Sequence, residues 1–138
     1  MRIGGFITYI SNRNDTITNA KLKSTGITYS EAKVIHYLYH QDNVSQDQLT
    51  KFLSIDKSAV TRILKNMVEK ELIQKTISHH DKRSYDLILL EKGRNLFKSI
   101  DSVFDEVSSL MVKDLSEEEK ELLLHLLDRV KQNMENKS

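Results

Sequence analysis

The chain has 138 residues, of which 38% are hydrophobic and 30% are charged, a composition typical of one soluble domain with a hydrophobic core. The sequence contains no cysteine, which excludes disulfides, thiolate metal ligands and a nucleophilic thiol, and no proline, which favours long uninterrupted helices. No apolar run approaches the length of a membrane span and the N-terminal segment has no cleavage signal, so we expect a cytoplasmic protein.

The formal net charge of +1 hides an uneven distribution along the chain. Residues 51–94 contain ten Lys and Arg against six Asp and Glu, whereas residues 101–138 contain five against ten. A basic middle segment indicates contact with a polyanion such as DNA, and the acidic C-terminal segment should be kept away from phosphates.

The first part of the chain predicts two helices. A helix over about residues 3–22 has an early apolar side formed by Ile3, Phe6, Ile7 and Ile10. Thr28 with Glu31 has the capping-box pattern and predicts the start of a second helix that runs to about His40. This second helix should pack its apolar side on the core through Ala32, Ile35, Leu38 and Tyr39.

A helix-turn-helix follows. Ser45 with Gln48 predicts the cap of a short helix that ends near Leu53. After a three-residue turn, Asp56 is a suitable cap for a longer helix over residues 57–70. Two helices joined by such a short turn are typical of DNA-binding helix-turn-helix proteins.

The longer helix has two contrasting faces at helical period. One face is apolar and should hold the helix to its own domain through Val60, Ile63, Leu64, Met67 and Val68. The other face carries short hydroxyls and long cations, namely Ser58, Thr61, Arg62 and Lys65. Such a polar face offers hydrogen-bond partners to phosphates and base edges, so we expect it to enter a DNA major groove.

A β-hairpin is predicted next. Residues 72–78 and 85–90 are rich in β-branched, aromatic and aliphatic side chains, and the polar, basic segment 79–84 separates them. We interpret this hairpin as a wing attached to the helix-turn-helix.

The last third of the chain is predicted to be helical. Apolar side chains repeat in steps of four and three at Leu96, Ile100, Val103, Val107 and Leu110. Ser116 with Glu119 predicts the cap of a final helix with its own apolar side. A winged lobe cannot cover all these apolar stripes, so we expect helices from both chain ends to pack against a second subunit, with a self-packed monomer as the alternative.

Two segments resemble the MarR family of winged-helix transcriptional regulators. They are DKSAVTRILKNMVEKELI, residues 56–73, and DKRSYDLILLEKG, residues 81–93. In the second segment the family's wing signature is matched by Asp81, Arg83, Leu87, Leu89 and Gly93. The chain departs from the family at Leu90, where a threonine is usual and would cap the next helix, and in lacking a wing proline.

The resemblance implies a mainly α fold with a small β-hairpin in a single MarR-type domain. Residues 28–92 would form the winged helix-turn-helix lobe, and residues 1–24 and 93–138 the helical dimerisation region. A homodimer would bind double-stranded DNA at a pseudo-palindromic operator as a sequence-specific regulator, by family habit a repressor. No cofactor and no membrane partner are implied.

The DNA-binding residues expected in the helix-turn-helix fall into two groups. Ser58, Thr61, Arg62 and Lys65 should enter the major groove, with Arg62 either contacting guanine through two hydrogen bonds or clamping a phosphate. Ser45, Gln46, Lys57 and Lys75 should bind phosphates, the first two with help from a helix N-terminus.

The wing should add a minor-groove contact. Arg83 resembles the family's minor-groove arginine, held outward by Asp81, although the pair could also be a simple surface ion pair. Lys82, His79 and His80 would add phosphate affinity, the histidines mainly at mildly acidic pH.

The remaining chemistry concerns an effector or a metal. In the family a small organic effector binds between the winged lobe and the dimerisation helices, which places a candidate pocket at Ile10, His36, Tyr39 and Phe97. A zinc-responsive regulator is an alternative because His36 and His40 share a helical face, but no histidine of the fifth helix completes the set. A winged helix used only for protein contacts is a further alternative. No sequence motif for catalysis is present, so we expect no enzyme.

Overall fold

Seven α-helices and one three-stranded antiparallel sheet form the part of the chain that the structure, a computed structural model, describes: residues 1–78 and 81–135. The helices are α1 (Ile3–Leu22), α2 (Tyr29–Tyr39), α3 (Gln46–Leu53), α4 (Lys57–Glu69), α5 (Glu91–Arg94), α6 (Phe97–Met111) and α7 (Glu117–Glu135). The strands are β1 (Val44–Ser45), β2 (Ile73–Ile77) and β3 (Tyr85–Leu89), and a short 3-10 helix (Lys23–Thr25) follows α1. The predicted mainly α fold with a small β-hairpin is confirmed.

The predicted helix starts are confirmed by their hydrogen bonds. The Thr28 hydroxyl accepts the Glu31 N–H at 3.1 Å, and the Glu31 carboxylate accepts the Thr28 N–H at 2.9 Å. The same reciprocal pair joins Ser45 and Gln48 at the start of α3, at 3.0 and 2.8 Å. Each box satisfies two N–H groups that a helix N-terminus leaves without intrahelical partners.

The sheet contains one strand more than the predicted hairpin. The strands lie in the order β1-β3-β2, with Ile73 opposite Leu89 and Val44 opposite Leu87. The hairpin of β2 and β3 was predicted to within a residue or two at the ends that the structure describes. The strand β1 was not predicted, because it is only two residues long and pairs with a strand about forty residues later.

The core of the winged lobe is built from α2, α3, α4 and the sheet. Its fully buried apolar side chains include Ile35, Leu49, Val60, Leu64, Met67, Leu72 and Ile73. Val68 was predicted on the buried side of α4 but is 41% exposed. It follows Val60 by eight residues, which turns it about 80° away from Val60 around the helix axis.

Position 93, in the short helix α5, has no room for a side chain. A Cβ at this position would lie 2.7 Å from the backbone oxygen of Leu72 and 2.6 Å from a methyl of Leu89. The same Leu72 oxygen accepts the Leu90 N–H at 3.0 Å, which closes the wing onto α5. Leu90 is the N-cap of α5 without a side-chain cap, as its departure from the usual threonine predicts.

The chain divides into two compact units, one of Met1–Asp105 and a second that begins at Glu106. In the first unit, Ile3, Phe6 and Ile7 of α1 are between 43% and 71% exposed. In the second, α7 begins with the predicted Ser116–Glu119 capping box and exposes a row of leucines, Leu122, Leu123, Leu124, Leu126 and Leu127. None of the helices in residues 1–78 and 81–135 combines the length and the hydropathy of a membrane span.

Candidate nucleic-acid interface

The helix α4 presents its polar face to solvent from a well-fixed N-terminus. The Asp56 carboxylate accepts the Ala59 N–H at 2.8 Å and the Ser58 hydroxyl at 3.2 Å. The opposite side of the helix is buried through Val60, Leu64 and Met67. The division of α4 into a buried apolar face and an exposed polar face is therefore as predicted, apart from Val68.

Arg62 and Lys65 are the free cations of this face. Both are exposed, and neither forms an ion pair with any acid in the described part of the chain. Unpaired surface cations on a helix can neutralise phosphates or, for arginine, donate two hydrogen bonds to guanine.

Gln46 does not lie where a phosphate could reach its side chain directly. It is 7% exposed, and its amide Nε2 donates to the Thr61 hydroxyl at 3.3 Å. The neighbouring Ser45 keeps its hydroxyl in the capping box of α3. The predicted phosphate contact at this helix N-terminus therefore rests on backbone N–H groups and on the hydroxyl proton of Ser45, which the capping box does not use.

One cavity joins the two helices to the wing. It has a volume of about 280 Å³, and its lining is Gln46, Asp47, Lys57, Thr61, Lys75, Arg83, Ser84 and Tyr85. Five of the predicted DNA-binding residues therefore share one concave surface, and three of them are cations. A single cleft with this charge fits a phosphodiester backbone better than separate surface lysines would.

Three lining residues were not predicted: Asp47, Ser84 and Tyr85. Lys75 lies over the Tyr85 ring, with its ammonium 4.4 Å from the ring centroid. Lys75 is opposite Leu87 in the β2–β3 register, which makes Tyr85 its diagonal neighbour. The hairpin register would have identified this pair, since diagonal neighbours lie within reach of long side chains.

The wing arginine projects into solvent. The Arg83 side chain is 92% exposed, and its Nε lies 3.4 Å from the Asp81 carboxylate. The same carboxylate accepts the Arg83 backbone N–H at 2.9 Å, so the aspartate also shapes the turn. Lys82 is exposed beside them. His79 and His80, predicted to add phosphate affinity, lie outside the described residues.

The candidate effector residues fall into a stack of rings and one separate side chain. Tyr39 stacks on Phe97 with centroids 3.8 Å apart, and His36 stacks on the same ring at 5.0 Å. The His36 Nε2 lies 2.9 Å from the Asp101 carboxylate. Ile10 is 49% exposed on α1 and takes no part in the ring stack.

The zinc alternative rests on two neighbouring histidines near the end of α2, and the described residues add no third metal-ligating side chain beside them. The His36 and His40 ring centroids are 6.3 Å apart. Among residues 1–78 and 81–135, no group of three or more His, Cys, Asp or Glu side chains could hold a metal ion.

The sequence matches known proteins over this same region. The model of the MarR family matches residues 27–85. An uncharacterized HTH-type transcriptional regulator of Bacillus subtilis, YdgJ, is 33% identical over 112 residues, which cover 81% of this chain and 68% of that protein.

Solved structures with the same fold include two that contain DNA. The Staphylococcus aureus MepR–DNA complex is 27% identical, with a TM-score of 0.87 over 96% of this chain and 98% of that one. A putative MarR family regulator of Listeria monocytogenes, complexed with a 26mer DNA, is 25% identical, with a TM-score of 0.90 over 97% of this chain and 89% of that one. The chain therefore belongs to the MarR family, whose members are DNA-binding transcriptional regulators and not enzymes.

Proposed function

We propose that this protein is a sequence-specific regulator that binds a pseudo-palindromic operator as a homodimer and represses transcription from it. The observation that carries the proposal is the cleft in which α3, α4 and the wing bring Lys57, Lys75 and Arg83 together beside the exposed Thr61. The two similar structures that contain DNA support a duplex as the partner. Because the proposed target is DNA, we also propose a cytoplasmic location.

In this proposal the polar face of α4 lies in the major groove and the wing reaches the adjacent minor groove. Arg62 and Lys65 are free of ion pairs within the described chain, so binding to DNA costs them no broken salt bridge. Within the described residues Asp81 is the ion-pair partner of Arg83, and the arginine can extend from it into a narrow A·T-rich groove, where the negative potential is strongest. The cations of the cleft then bind the phosphates between the two grooves.

Exposed apolar helices at both ends of the chain support the homodimer. Phe6 of α1 is 53% exposed, and Leu124 of α7 is 69% exposed, in rows of similar side chains. Contiguous apolar surface of this kind is typical of an interface with another chain. We assign residues 1–24 and 93–138 to the dimerisation region, and a two-fold dimer would place its recognition helices about one helical turn of DNA apart, roughly 34–36 Å.

Repression and its release complete the proposal. A dimer bound across a promoter excludes polymerase. A small organic effector would release the DNA only to the extent that it binds more tightly to a dimer with the wrong spacing of recognition helices. The ring stack of His36, Tyr39 and Phe97 is the candidate contact surface for such a ligand, with Ile10 on α1 as a further candidate.

The testing experiment is selection of binding sites from random duplex DNA by the purified protein. We expect an inverted repeat with half-sites one helical turn apart, and affinity that falls steeply as salt rises, because several phosphate contacts release counterions. A dimer mass by sedimentation would support the assembly. Recovery of no consensus at low salt would contradict DNA readout and favour a protein-interaction module.

A further inference from the structure

Thr61 is exposed on the polar face of α4, yet its hydroxyl is already bonded on two sides. The hydroxyl proton goes to the Lys57 carbonyl oxygen at 2.9 Å, one turn back in the helix. The hydroxyl oxygen also accepts the Gln46 amide Nε2 at 3.3 Å. A threonine hydroxyl has one proton and two acceptor sites, so only one acceptor site and the methyl group remain for a ligand.

These remaining groups suit some bases and not others. The methyl group of threonine makes an apolar contact with the C5 methyl of thymine in the major groove. The free acceptor site can take a hydrogen from the amino groups of adenine or cytosine, but it cannot serve the O6 and N7 acceptors of guanine. Because the acceptor site serves adenine and cytosine alike, the preference of Thr61 for an A·T pair comes from the contact between its methyl group and the thymine methyl.

The side chain that holds Thr61 in place is Gln46. It is 7% exposed, and within the described residues its amide oxygen Oε1 is buried without a hydrogen-bond partner. A buried unpaired acceptor costs free energy, so an apolar residue would serve the core better at this position. Threonine in a helix divides between two side-chain rotamers, and the Gln46 bond favours the rotamer that turns the hydroxyl inward.

We propose that Gln46 is a positioning residue for base recognition: it fixes Thr61 so that its methyl group faces DNA and selects thymine. The inference deepens the proposed function and rests on it. Gln46 itself contacts no base. Its effect on specificity passes through the hydrogen bond to Thr61.

The first test replaces single thymines of the selected operator by deoxyuridine, which removes only the C5 methyl. At the position that Thr61 contacts, this should weaken wild-type binding about three- to fivefold, the value of one lost methyl contact. Thr61→Ser, which keeps the hydroxyl and lacks the methyl, should bind the thymine and uracil operators equally. Thr61→Val, which keeps methyl groups and lacks the hydroxyl, should remain sensitive to the change.

The second test concerns Gln46. Gln46→Met keeps the volume of the side chain and removes the donor. The sensitivity to uracil should then fall below the wild-type value of about three- to fivefold, because the Thr61 side chain divides between two rotamers. Adding Thr61→Val should restore the sensitivity, because valine holds one rotamer in a helix without an anchor. A purely structural Gln46 would not give this rescue. Circular dichroism of each variant confirms the fold.

The outcomes separate this inference from the proposed function. If the wild-type protein selects no consensus, the proposed function fails. If it selects a consensus but Thr61→Ser stays sensitive to uracil, or Gln46→Met keeps the wild-type sensitivity, the inference about Gln46 and Thr61 is overturned while DNA binding stands.

Discussion

Replacing Arg62 by alanine tests most directly how α4 recognises DNA. Arg62 is exposed and has no ion-pair partner in the described chain, so the free energy of unfolding should change by less than about 0.5 kcal/mol. Loss of a two-hydrogen-bond contact to guanine should cost about 1–3 kcal/mol in each half-site. A homodimer presents the arginine twice, so a full operator should lose about 2–6 kcal/mol of binding free energy.

Fluorescence anisotropy on the selected operator and on random DNA measures this loss. Arg62→Lys is the informative partner variant, because it keeps the charge and loses the planar fork of donors. We expect it to bind random DNA nearly as well as wild type and the operator nearly as poorly as Arg62→Ala. Lys98→Ala, which removes an exposed cation outside the predicted DNA-binding residues, is the control for lost charge and should leave affinity unchanged once sedimentation shows the wild-type assembly.

A different pattern would refute the base contact at Arg62. If Arg62→Lys restored operator affinity, and Arg62→Ala weakened operator and random DNA equally, the arginine would be a phosphate clamp. The salt dependence would then also fall by about one phosphate contact per subunit.

Three further predictions concern the wing and its supports. Arg83→Ala should weaken operator binding by about 1–3 kcal/mol per half-site, as measured by fluorescence anisotropy. Unchanged affinity would mean that Arg83 forms only a surface ion pair with Asp81 and does not contact DNA. Gly93→Ala forces a Cβ against a backbone oxygen and should lower stability by about 1–3 kcal/mol in thermal unfolding, whereas Gly4→Ala, with open space around it, should not destabilise. Lys70→Met leaves the buried Glu31 carboxylate without its cation and should cost about 2 kcal/mol in urea unfolding; no loss would show the pair to be dispensable.

Local patterns in the sequence were enough to predict most of the fold. The capping boxes at Thr28, Ser45 and Ser116 depend on residues three apart in the chain, and all three form as predicted. The two faces of α4 likewise follow from its helical period. These features are local because their partners lie within one helical turn, so no knowledge of the tertiary structure was needed.

Contacts between distant segments could not be read in the same way. The strand β1 forms because Val44 and Ser45 pair with β3. Two residues are too few to show the alternating pattern that predicts a strand. The ring stack on His36 was only partly predicted, since Asp101 and Phe104 reach it from α6. Spacings of four and seven residues from Phe97 place them on one helical face, but only packing against α2 shows what that face meets.

Gln46 shows the same limit within the candidate site. A glutamine beside a helix cap was predicted to face a phosphate, as most glutamines face solvent. The fold buries this side chain and brings Thr61 within hydrogen-bond distance of it, although the two residues are fifteen apart in the chain. The sequence contains no local signal for that contact.

The supports of α4 decide how the DNA-binding experiments can be interpreted. The helix is fixed at its start by the Asp56 cap and at its end by Lys70, whose ammonium lies 2.7 Å from Glu31 and donates to the Gly26 carbonyl at 3.1 Å. Lys92 donates in turn to the Lys70 carbonyl at 2.9 Å, which ties the same end to α5. None of these bonds involves the exposed face, so substitution of Arg62 leaves the position of the helix intact. A loss of affinity in that variant is therefore a lost contact with DNA, whereas a loss in Lys70→Met combines a shifted helix with lower stability.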